Sequence, residues 1–231
     1  MAEKETAAYI PPFDHPDIWE GNSTLIEEAA QQLDGNPPGA VICVVGGGGL
    51  LSGVALGMQK VGWNDVPILT AETEGASSYY SSIKAGWLPP PPQTIAPLSN
   101  FPLKGEIVTL PSITSVAKSL GAVRVCEESF LWSKKRPIIP CTVTDKQAVD
   151  AALRFADDHH FLVRPPQYPG LNSSIKKVEV SCAAGLAAVY EQKKELLDLK
   201  PRSVLVVVCG GSMCTIRFLQ DLQRQLSGLN K

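Results

Sequence analysis

Histidine is scarce in this sequence: His15, His159 and His160 are the whole supply. The six cysteines, Cys43, Cys126, Cys141, Cys182, Cys209 and Cys214, include no Cys-x-x-Cys pair, so a zinc site has too few ligands at workable spacing. No run of about 18 apolar residues is present to span a bilayer, and the opening MAEKETAAY lacks the apolar core of a secretory signal. A formal net charge of -2 gives no pull toward nucleic acid or a membrane surface. The expectation is a cytoplasmic globular protein whose cysteines are reduced, five of them buried and Cys209 the exception. Its 231 residues, 44% apolar and 19% charged, suffice for one sizeable core.

Glycine, in contrast, is concentrated in one place. VICVVGGGGLLSG, Val41 to Gly53, sets four consecutive glycines between an apolar run and a helical pattern. Glycine loses the most chain entropy on folding and packs nothing, so a run of four implies that something approaches the bare backbone. Ala40 to Val45, bounded by Asn36-Pro37-Pro38-Gly39, reads as a buried strand. From Leu50, the residues Leu51, Val54, Ala55 and Met58 follow helical spacing, with Gly53 and Gly57 allowing close packing and Gly62 ending the run. In this strand, turn and helix, the N–H groups of Gly46, Gly47, Gly48, Gly49 and Leu50 face an anion, commonly a phosphate.

Spacing narrows the choice of phosphate. A nucleotide P-loop needs lysine directly after its last glycine, and the next lysine here is Lys60. The dinucleotide pattern Gly-x-Gly-x-x-Gly fails as well, because Leu51 and Ser52 stand where its third glycine would be. Glu72, closing the apparent strand Pro67 to Ala71, falls about where a ribose-binding acid would, and keeps an NAD-type domain as the alternative.

Strand and helix patterns alternate along the chain. Thr24 and Glu27 form a capping box for a helix running to Gly35. Ser78 to Ala85, Ser115 to Leu120, a segment capped by Asp145, and Ala183 to Leu199 read as further helices. SVLVVVCGGS, Ser203 to Ser212, is a second apolar strand entering glycines, followed by a helix with Ile216, Leu219, Leu222 and Leu226. The fold class is α/β, a parallel sheet with flanking helices, and both glycine turns should open at its carboxyl edge.

YIPPFDHPDIWEGN, VVGGGGLLSGVALGMQKVGW, AETEGASS, LPSITSVAKSLGA, SCAAGLAAVY and VLVVVCGGS, in this order, resemble the carboxyl-terminal half of the L-serine dehydratase/L-threonine deaminase family. The resemblance implies most of the large cofactor domain of a pyridoxal-phosphate (PLP) enzyme of fold type II. It implies that Gly46 to Gly49, with Leu50, hold the PLP phosphate and that Cys209 faces the pyridine nitrogen. A thiol is a weak partner there and does not protonate the ring as a carboxylate would, which suits elimination. By position, the family's monovalent-cation site would use backbone oxygens of Ala76, Leu120 and Ala122; hard cations take oxygen ligands.

Two family motifs have no counterpart. The Schiff-base lysine motif, Ser-x-Lys-x-Arg-Gly, and a Ser-x-Gly-Asn loop for the substrate carboxylate both lie upstream of the glycine loop in the family, and this chain reaches IPPF by residue 10. Ser82-Ile83-Lys84 and Ser174-Ile175-Lys176 lie downstream and lack the following Arg-Gly. Ser115-x-x-Lys118 sits inside the ITSVAK block without a supporting motif. Two proline-rich stretches, 87–105 and 164–178, interrupt the pattern and read as inserted loop or disorder of intron or alternative-exon origin. The expectation is a single incomplete domain over residues 1–231 that binds PLP non-covalently and is inactive alone toward L-serine or L-threonine. Its assembly would be a homodimer or a pairing with a full-length relative, and a non-catalytic binding or regulatory module paired with such a relative is the second alternative reading.

Overall fold

The computed structural model describes residues 9–86, 107–159, 178–211 and 214–228. Stretch 87–105 lies outside them, as does 164–178 apart from Val178, which is buried. The elements are α1 (Pro16–Gln32), β1 (Ala40–Val44), α2 (Gly49–Lys60), β2 (Ile68–Thr73), α3 (Ser78–Gly86), α4 (Glu127–Lys135), β3 (Ile138–Val143), α5 (Asp145–Asp158), α6 (Val180–Tyr190), α7 (Lys194–Leu197), β4 (Val204–Val206) and α8 (Ile216–Leu226). All strand pairings are parallel, in the order β3-β2-β1-β4. No helix among the described residues is long and apolar enough to cross a membrane.

Both sheet faces are covered, which is why β1 reads as a continuous apolar run. Ile42 and Val44 point to a core shared with α5, α6 and α8, while Val41, Cys43 and Val45 point to one shared with α1 to α4. Small residues bring α6 onto the sheet: a Cβ on Gly185 would stand 3.3 Å from Val44 and 3.6 Å from Ile42. Gly53 and Gly57 do the same for α2 against α1, where a Cβ on Gly57 would stand 2.8 Å from that of Ile26.

Four helix expectations need correction. α1 begins at Pro16, well before Thr24, because His15 caps it through Nδ1 and the proline has no N–H to lose. Thr24 lies mid-helix, its hydroxyl donating back to Gly21 O. The cap of α5 is Thr144, in a reciprocal box with Gln147, not Asp145. Asp145 instead accepts from Ser115 Oγ and the Val116 N–H, and Ser115 Oγ accepts from the Ala117 N–H. With those groups satisfied by side chains, 115–120 forms only a 3-10 turn, Lys118–Leu120. The helix expected through Leu199 breaks after Tyr190, where Gln192 takes a φ of 47° and α7 starts afresh.

Candidate cofactor site

Gly48 is the cap of α2 with φ 95°, a left-handed conformation that a side chain would strain. The other three glycines answer to close approach. A Cβ on Gly46 would stand 3.1 Å from Ser119 O and one on Gly49 2.7 Å from Phe13 O, while one on Gly47 would collide with the Phe13 ring. Gly48 is backed in the same way by Ser129 and Cys126. The loop is therefore clamped from behind, and the Gly47 carbonyl also accepts the Cys126 N–H at 2.9 Å. On the other side, the N–H groups of Gly46, Gly47, Gly48, Gly49 and Leu50 meet no acceptor among the described residues. A row of unpaired donors at the positive end of a 12-residue helix fits a phosphate ester.

β4 lies beside β1, with Val206 level with Ile42 and the Val207 N–H donating to Ile42 O at 2.9 Å. The glycine loop and the loop through Cys209 thus leave neighbouring parallel strands at the same carboxyl edge. The strand expected to carry Cys209 stops at Val206, and Cys209 stands beyond it, an exposed residue whose sulfur is partly buried against Cys182. The Cys209 N–H donates to Cys182 Sγ at 2.9 Å, and the two sulfurs are 3.7 Å apart. Cys182 is the third residue of α6, in its first turn. The Cys209 thiol donating to it brings the Cys182 thiol down to about 7, against burial and the nearby Glu179 carboxylate. Cys209 moves the opposite way, its proton held by that same bond and by burial.

Cys182 was missed as a partner. Topology narrows the region, because α6 precedes β4 and its first turn lies at the edge where β4 ends, but nothing in the spacing singles out Cys182.

The remaining candidates separate. Glu72 is fully buried and lies within β2, and its carboxylate accepts the Tyr79 N–H at 2.9 Å and the Tyr80 N–H at 2.6 Å. Burial pushes this carboxyl up to about 8, in spite of both bonds. It serves the first turn of α3 and is not open to a ribose, which corrects the dinucleotide alternative. Ala76 lies against the segment bearing Leu120 and Ala122, since Gly75 O accepts the Thr114 and Ser115 N–H groups. Leu120 O accepts the Ala122 N–H at 2.8 Å. Lys60 ends α2, away from the glycine loop, and its ammonium donates to Ser23 Oγ and pairs with Glu20 and Glu27.

A doubly covered parallel sheet with an amide cradle at one strand end and a thiol loop at the next defines an α/β domain built to hold a phosphorylated cofactor. Residues 1–167 match the family described as pyridoxal-phosphate dependent enzyme, and the chain belongs to that family. It is 39% identical to mouse serine dehydratase-like protein over 98% of this chain and 60% of that protein. It is 38% identical to bovine L-serine dehydratase/L-threonine deaminase over 94% of this chain and 58% of that protein. The chain thus spans about three-fifths of these curated relatives. The crystal structure of a fungal L-serine ammonia-lyase from Rhizomucor miehei superposes with a TM-score of 0.76 at 32% identity, covering 96% of this chain and 61% of that one. Maize serine racemase, with a TM-score of 0.66 at 24% identity over 94% of this chain and 56% of its own, shares the fold.

Proposed function

We propose that this chain is the phosphate-holding part of a PLP-dependent serine/threonine ammonia-lyase, whose substrates are L-serine and L-threonine. One observation carries the reading: five successive N–H groups, Gly46 to Leu50, stand unpaired among the described residues at the start of α2. When bound, PLP supplies the electron sink that makes loss of the α-proton and the β-hydroxyl feasible. The glycine amides would hold its phosphate, with Phe13, Cys126 and Ser129 keeping that cradle rigid from behind. Cys209 would face the ring nitrogen as a weak hydrogen-bonding partner. Backbone oxygens of Ala76, Leu120 and Ala122 form a site for a monovalent cation that steadies the turn after β2.

The lysines described near these elements do not serve as the base. Lys60 is engaged with two glutamates at the wrong end of α2, and Lys118 Nζ donates to Ser115 O at 2.9 Å. These elements therefore hold PLP without a covalent link, and turnover needs an amine from outside them, whether in the same polypeptide or in another. Incubation with PLP followed by borohydride should trap no adduct at one defined lysine, and L-serine should yield no pyruvate above the free-PLP background. Stoichiometric trapping at a single lysine with multiple turnovers would overturn this reading.

A further inference from the structure

We propose that Cys182 and Cys209 form a redox site, which a small-molecule disulfide converts to an intramolecular disulfide bridge. The sulfurs are 3.7 Å apart and already share a hydrogen bond. Closing to the S–S length of about 2.05 Å needs a movement of under roughly 2 Å, shared between two side chains. The loop is docked for it, because the Cys209 backbone N–H also holds Cys182 Sγ. Accessibility divides the roles: Cys209 is exposed, whereas Cys182 is 1% exposed at the first turn of α6. The positive end of that helix and two hydrogen bonds favour a thiolate at Cys182 near neutral pH, with Glu179 and burial opposing.

The chemistry balances. Cys209 passes its proton to the Cys182 thiolate, and the Cys209 thiolate attacks one sulfur of R–S–S–R, releasing RS⁻. Cys182 then gives that proton to the released thiolate and attacks the Cys209 sulfur, displacing the second RS⁻. Two electrons pass to the small disulfide, which leaves as two thiol equivalents while the Cys182–Cys209 bond forms. Cys43 and Cys141 do not compete, because burial raises both thiols, Cys141 to about 12.

The site is read by mass without cofactor, so it stands or falls apart from the PLP reading. If that reading holds, oxidation also consumes the Cys209 thiol on the ring-nitrogen side. The test exposes the full chain to oxidised glutathione, alkylates it and maps its peptides without reduction. The expected result is loss of two alkylatable thiols, a mass lower by two hydrogens and one Cys182–Cys209 linked pair, all reversed by dithiothreitol. Cys182→Ser should instead hold glutathione at Cys209, and Cys209→Ser should form neither product. The latter change is at an exposed position and keeps the test independent of whether Cys182→Ser folds. Accumulation of a mixed disulfide in the unaltered chain, pairing of Cys209 with another cysteine, or no oxidation would overturn the proposal.

Discussion

The Glu72 carboxylate accepts the backbone N–H of Tyr79 at 2.9 Å inside a fully buried site. Charge there is opposed by desolvation more than it is supported by the two amides, so the carboxyl lies at about 8 rather than its ordinary 4.5. Between these values the folded chain keeps a proton that the unfolded chain has released. Unfolding then releases a proton, and this group's contribution to stability is full below about 4.5 and lost as pH rises through about 8. Glu72→Gln cannot titrate and should flatten the fall in urea midpoint across that window, a swing of a few kcal/mol. An unchanged slope in the variant would refute the assignment.

Arg136 should matter for stability and not for cofactor binding. It is 3% exposed, and its guanidinium donates to Ala55 O at 3.1 Å, Trp63 O at 2.8 Å and Val66 O at 2.9 Å, tying the middle of α2 to the turn that leads into β2. Arg136→Met keeps the stem and leaves those carbonyls without this donor, at a cost of about 3 kcal/mol. Arg136→Lys should recover only part, since one ammonium cannot reproduce the planar fork. Chemical denaturation checks both, and a loss under about 1 kcal/mol in Arg136→Met would count against the role assigned to these bonds.

How legible the molecule is in its sequence depends on where each element's stabilisation comes from. β1, α2 and α8 depend on local signals, an apolar run, a glycine turn and an apolar stripe, and all three are readable residue by residue. α4 and β3 are not: CEESFLWSKKRPIIPCTV mixes charge with a mid-strand Pro140, which ordinarily argues against a strand. Pro140 is tolerated because β3 is an edge strand that pairs only with β2. The stretch 115–120 has helical spacing, but the Asp145 carboxylate, supplied from 30 residues away, takes its donors. The glycine cradle is plain in the sequence because four adjacent glycines have few other uses. The Cys182–Cys209 contact is not, since neither residue carries a spacing that points to the other.

The sharpest test of the cradle is Gly48, where conformation and charge can be varied separately. Its φ of 95° strains any side chain, and a Cβ would press on Ser129 and stand 3.0 Å from Cys126 Sγ. Gly48→Ala therefore deforms the loop without adding charge and should weaken PLP binding about tenfold through misaligned amides, equivalent to about 1.4 kcal/mol. Gly48→Asp adds the same strain and sets a negative charge on the Ser129 and Cys126 side of the loop, across the backbone from the phosphate, so its loss should exceed that of alanine by a further few-fold. Raising the salt concentration should narrow the gap between the two variants, because screening acts on the charge and not on the strain. Equilibrium titration followed by PLP absorbance measures all three proteins. Equal affinity of Gly48→Asp and the unaltered chain would mean that the phosphate binds elsewhere, and equal losses in the two variants would mean that no charge at this position reaches it.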